Sequence, residues 1–216
     1  MRLPRRSFLS LLVPLALSQS GCVGLTAQLL YVIKGDPQIP AEFEGLEGKR
    51  VAVVCVANTS NYDPNSASTQ LAHAVSGLLR KKVKKINVMR PDQINNWIDN
   101  NNWNQVDFRE VGKGVNAEMV VGIDLEGFVL HEDATLYKGR ASATVRVFDI
   151  TRRGEKVYSF SVPNFTFPSN GGQHVTDTTD RQFQARFVVE LANHIARHFY
   201  AYDVKEDFGR DATLLQ

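Results

Sequence analysis

His194 and His198 stand four residues apart in a helical stretch, a spacing that sets two imidazoles on one face and can bind zinc. Position 195 is Ile, so the glutamate of the zinc-protease helix motif is missing, and two surface histidines are the simpler reading. Asp124, Glu126, Glu132 and Asp133 could gather near a strand end around a hard cation. Carboxylates alternating on a solvent-facing strand explain them with less. Ser60 and Ser66 lack the flanking glycines of a nucleophile elbow. Gly112-Lys113-Gly114 is too short for a phosphate loop and follows a helix instead of opening one. His73, His131 and His174 are scattered. Trp97 and Trp103 lie in an amide-rich run with Asn95, Asn96, Asn100, Asn101, Asn102 and Asn104, where an indole could stack on a sugar ring or pack against the domain. The expectation is a chain with no catalytic residues, no metal ligands and no cofactor, its small-molecule ligand, if any, unspecified.

The N-terminus carries the clearest chemistry. Arg2, Arg5 and Arg6 form a basic segment, and Phe8 to Leu17 is an apolar one, too short for a bilayer that needs about 20 residues. Small residues then lead to Cys22. This is the pattern of a secretory signal over residues 1–21. Ser20-Gly21-Cys22 resembles a bacterial lipoprotein lipobox, which implies cleavage between Gly21 and Cys22 and acylation of the Cys22 thiol. Gln19 stands where that pattern has an aliphatic or small residue, so ordinary signal-peptidase cleavage with Cys22 incidental is the alternative. Arg5-Arg6-Ser7-Phe8-Leu9 also resembles the twin-arginine export motif, and the sequence leaves Sec and twin-arginine export open. Either route ends outside the cytoplasm, with the domain facing the periplasm. Inner and outer membrane are not distinguished.

The bulk of the chain is that of a globular protein: 216 residues, 43% apolar and 22% charged. Removing Arg2, Arg5 and Arg6 with the signal takes the basic side chains from 25 to 22, against 23 acidic, so net charge gives no case for nucleic acid. Cys55, the second of two cysteines, lies mid-strand and reads as a small buried hydrophobe, with no disulfide framework implied.

The elements organise around Lys49–Ala57, a β-branched apolar run that reads as a strand buried on both faces. Leu71, Val75, Leu78 and Leu79 predict a helix that ends in Arg80-Lys81-Lys82, with Lys84-Lys85 beyond. That basic run is either a solvated helix end or a contact for anionic lipid or glycan. A short strand at Ile86–Met89 and helices over 92–98 and 108–114 follow. Met119–Phe128, Tyr137–Ile150 and Lys156–Val162 predict an antiparallel meander, its second hairpin turning at Thr151–Gly154. A polar loop over 163–178 leads to the capping box Thr179–Gln182 and a long C-terminal helix through Phe183, Phe187, Leu191, Ile195 and Phe199. The expected fold is α/β (α+β): one domain with a mixed sheet, a βαβ start, a three-strand meander and packed helices. The expected boundaries are a signal over 1–21, a lipid-anchored tether over 22–48, the globular domain over 49–202 and a flexible tail over 203–216.

Four segments carry a wider resemblance. They are Arg50 to Ser60, a "VAVV" strand with a polar exit; the helix–strand–helix from Leu71 to Ile98; Gly114 to Gly122; and Val147 to Glu155. Together they resemble a group of bacterial envelope lipoprotein domains that includes LpoB, CsgG and the amino-terminal domain of TolB. The resemblance spans about residues 49–200 and brings no catalytic motif. It implies a non-enzymatic binding or assembly domain, held to the membrane through Cys22 and meeting an envelope protein partner. The alternatives are a subunit of an oligomeric secretion or transport assembly and a soluble secreted enzyme.

Overall fold

The computed structural model describes residues 38–57, 66–101 and 107–203. Cys22, Gly21, Arg5, Arg6, Trp103 and the tail beyond Asp203 lie outside them. The chain divides into two units. The described part of the first is a two-stranded antiparallel ribbon, β1 (Gln38–Ile39) with β8 (Tyr202–Asp203).

The second unit, Pro40–Ala201, is built on β2 (Arg50–Ala57), in which Val51 to Val54 are buried. Helix α1 (Ala67–Lys82) follows, capped by Ser66, whose side chain accepts from the Thr69 amide; its buried Leu71, Val75 and Leu79 recur every fourth residue. Strand β3 (Asn87–Val88) returns parallel to β2. Helix α2 (Pro91–Asn100) has proline in its first turn, where no helical hydrogen bond is lost, and α3 (Phe108–Gly114) is capped by Asp107. Next come β4 (Met119–His131), β5 (Leu136–Asp149), β6 (Glu155–Phe167) and β7 (Gln173–His174). The chain of elements closes with α4 (Asp180–Ala196), opened by the predicted capping box, and a 3₁₀ turn, Arg197–Phe199.

The sheet order is β3-β2-β4-β5-β6, with β7 paired to the start of β5. β2 lies parallel to β3 and β4, and the β4–β5 and β5–β6 pairs are antiparallel. The expected α+β fold, mixed sheet, meander and long C-terminal helix are all present. One face of the β2 half is closed by α2 and α3, where Ala52, Val54, Val120 and Phe148 pack with Ile94, Phe108 and Val111. The other face is closed by α1 and α4, which also pack on each other.

Two strands run further than predicted. β4 reaches His131 and β6 reaches Phe167, so the first residues of the expected polar loop are strand. The reason is a pair of bulges. An irregularity between Leu125 and Gly127 shifts the alternation, carrying Phe128 to the α4 face, where its ring lies 5.0 Å from that of Phe187. A matching irregularity between Ala141 and Ala143 sets Phe165 and Phe167 opposite Ala141 and Gly139, again toward α4. The start of the unit also lies before the predicted Lys49. Leu46 is completely buried, and the Phe43 ring stacks on Tyr158 at 5.1 Å, so Pro40–Gly48 is a strap on the domain and not free tether.

Gly139 lets α4 approach β5, because a Cβ there would sit 2.7 Å from the Phe187 ring. Gly139→Ala should therefore lower stability by about 1–3 kcal/mol through overpacking. Urea unfolding measures it, and an unchanged midpoint would contradict the packing described.

Candidate functional site

Beyond the reach of α2 and α3, the same face of the meander is covered by no helix among the described residues. The alternation that buries Ala141, Ala143, Val145 and Val147 under α4 sends Arg140, Ser142, Thr144 and Arg146 to this open face. Asp124 and Glu126 join them from β4, and Ser159, Ser161 and Thr166 from β6.

These groups are paired locally. Arg146 Nη1 lies 2.9 Å from Asp124 Oδ2, close enough for an ion pair but without the alignment of a hydrogen bond. Partial burial pushes the Asp124 carboxyl above its ordinary value, Arg146 opposes that shift, and Glu126 adds to it. Thr144 donates to Glu126 at 2.6 Å, and Arg140 donates to Glu132 at 2.9 Å. Ser142 donates to the Pro163 carbonyl at 2.7 Å. The four carboxylates weighed for a cation are thus separated: Asp133 caps its own turn, accepting from Thr135, while the other three serve Arg146, Thr144 and Arg140. No group of three potential metal ligands occurs among the described residues. Burial also raises the Cys55 thiol, with the Asp124 carboxylate adding to the effect.

The two histidines of zinc spacing have separate surroundings. Their rings are 6.4 Å apart and nearly perpendicular. His194 is exposed, beside Phe165. His198 is not the surface residue expected: its side chain is 18% exposed and its ring stacks on Phe160 at 3.7 Å. His198 Nδ1 lies 3.0 Å from both Glu42 Oε2 and Tyr158 Oη, and Tyr158 donates to Glu42 at 2.7 Å. This three-residue knot fixes the strap to β6 and the 3₁₀ turn, helped by the Phe43 N–H donating to the His198 carbonyl at 2.9 Å. Tyr158 holds the Glu42 carboxyl below its ordinary value, and burial with Glu42 raises the Tyr158 phenol. A second knot joins Tyr137 and His131 to Asp180 at the start of α4. Sequence reasoning missed both, because the partners are far apart in the chain. Trp97 resolves toward packing: it lies against Gly114 and the α2–α3 core cluster.

No protein-family profile matches the chain, and no curated protein matches it in sequence. Similar solved structures include the PelC dodecamer from Paraburkholderia phytofirmans, at 14% identity and a TM-score of 0.46, covering 76% of this chain and 98% of that one. Lipoprotein GNA1162 from Neisseria meningitidis has 14% identity and a TM-score of 0.44, with 68% and 97% covered. The LpoB C-terminal domain from Salmonella enterica has 12% identity and a TM-score of 0.38, with 56% and 86% covered. Bacterial lipoproteins are thus among the structural neighbours. Likeness at this level carries no argument about activity, assembly or partner, and the fold class stands on the elements described above.

The Glu42 knot predicts an acid limb. A carboxyl held below its ordinary value of 4.5 contributes stability that is present above that pH and is lost as pH falls through the lower folded value. Glu42→Gln should lower the thermal midpoint near neutrality and flatten its fall below pH 4.5, the two proteins converging in acid. An unaltered acid limb would show that the knot is not formed in solution.

Proposed function

We propose that this is a lipid-anchored protein of the bacterial cell envelope whose domain binds another envelope protein and performs no reaction. The observation that carries the reading is the N-terminal sequence, in which Arg5 and Arg6, the apolar segment and Ser20-Gly21-Cys22 stand in the order of a lipoprotein signal. Acyl chains on Cys22 would hold the protein at the membrane, at roughly 0.8 kcal/mol per buried methylene.

The open face of the meander supports the binding role. It offers hydroxyls, carboxylates and guanidiniums on rigid strands, the mixture found at the polar rim of protein interfaces. Its charges are balanced by near neighbours, an arrangement suited to docking. General acid–base work needs a group free to exchange protons with a substrate. The β6 edge adjoins this face, where Ser159, Ser161, Pro163 and Asn164 are exposed. Pro163 and the bulge beside it discourage uncontrolled strand pairing, as an edge strand requires.

Cys22→Ser should move the protein from the membrane fraction to the soluble fraction, and intact-mass analysis of the native protein should find a diacylated Cys22. A free N-terminus at another residue would sink the anchor. A photo-crosslinker at Ser159 or Ser161 should give one discrete envelope adduct, whereas the same probe at His73, exposed on α1, should not. Equal labelling from both positions would remove the open face as the docking surface.

A further inference from the structure

The end of the sheet at which the strap joins is basic, whereas at the opposite end acids and bases are matched. Backbone hydrogen bonds place the first end in one row. Gly48 N–H donates to the Lys84 carbonyl at 3.4 Å, Asn87 to Lys49 at 2.9 Å, Glu118 to Arg50 at 2.8 Å and Ile150 to Glu118 at 2.8 Å. The starts of β2, β3 and β4 and the β5–β6 hairpin therefore share one end of the sheet, together with the last turn of α1.

Arg80, Lys81, Lys84 and Lys85 are all exposed there, and Arg153 is exposed at the hairpin. Two acids of the same end are committed to neighbours. Glu118 accepts from the Arg50 amide at 2.9 Å and pairs with Lys49 at 3.4 Å. Asp149 accepts from Thr151 and pairs with Arg152 at 3.4 Å. Glu44 and Glu47 on the strap and Glu155 at the hairpin are exposed and offset part of the charge. At the far end of the strands, Glu132, Asp133, Asp177 and Asp180 are offset by Lys138, Arg140 and Arg181, with Glu132 paired to Arg140 at 2.9 Å and Asp180 to His131 at 3.1 Å.

We propose that Arg80, Lys81, Lys84 and Lys85 seat the domain on anionic phospholipid headgroups, basic end down, at the membrane that holds its anchor. The inference rests on the anchored reading for its biological setting, but the patch is independent of Cys22. Residues 23–39 would reach on the order of 60 Å at full stretch, enough to let the domain touch the membrane in any orientation. The tether length therefore selects no orientation. The charge does, because attraction acts at the basic end within a Debye length of about 10 Å from the surface and the balanced far end has no counterpart to it. Seated this way, the strands point away from the membrane, and the open face and β6 edge stand clear of the lipid for a partner.

The test uses the chain from residue 22 onward, without the basic and apolar signal and carrying Cys22→Ser so that no thiol is acylated, with vesicles of phosphatidylcholine alone or mixed with phosphatidylglycerol. Phosphatidylglycerol should increase binding, and Lys81→Glu with Lys84→Glu should reduce that increase by about tenfold or more. Added salt should have the same effect. Lys138→Glu with Arg181→Glu changes net charge equally on side chains away from the patch and should leave most of the increase in place. Matching circular dichroism and thermal midpoints show that both variants fold. Equal loss in the two variants, or equal binding to both vesicle types, overturns the proposal. An unacylated Cys22 in the native protein would overturn the anchor and leave the vesicle result standing.

Discussion

β2 has to be covered on both sides, and most of the architecture follows from that. Its consecutive valines and alanines leave no polar face to turn toward water, so a helix layer is needed above and below. The β2–α1–β3 crossover supplies one layer, and the longer passage through α2 and α3 supplies the other before β4 returns on the far side of β2. β4 is then fixed beside β2 over Met119–Leu125 and carries the antiparallel meander outward from it. The covered half is rigid because it is enclosed on both faces. The other half keeps one face open because α2 and α3 do not extend over it.

The bulges reconcile these halves. A strict two-residue alternation from Met119 would have sent Phe128 to the open face with Asp124 and Glu126. One extra residue near Glu126 returns it to the α4 side, where Phe165, Phe167, Phe183 and Phe187 form a continuous aromatic packing. The open face is polar because the bulges remove aromatic rings from it. Its composition is a product of register as much as of residue choice.

Local signals made much of this legible. The 3.6-residue spacing of Leu71, Val75 and Leu79, the capping box at Thr179 and the alternation of β5 each express a single element's own periodicity. The α3 range, Phe108–Gly114, was readable, although the left-handed residue beyond its end is Asn116 and not the glycine. The lengths of β4 and β6 were not, since a bulge is a relation between two strands and leaves a break in alternation that resembles a strand's end. The strap was misread as tether because Leu46 and Phe43 are isolated apolar residues among glutamates and glycines, and their burial depends on elements far along the chain. The same holds for Glu42, Tyr158 and His198, whose sequence separations of 116 and 40 residues exceed any motif spacing. The open face was half visible: its polar residues were identifiable by parity, but their partners were not.

The strap also gives the domain a mechanical character. A pull arriving along the chain at Pro40 meets Glu42 and Phe43 before it reaches β2. There it must slide one ring over Tyr158 and shear a group of hydrogen bonds that lie side by side. Load is shared among contacts on β6 and the 3₁₀ turn and does not peel the central strand from its end. Tension on the chain ahead of Pro40 is thus taken up by the strap, while the strand on which both layers depend stays at rest.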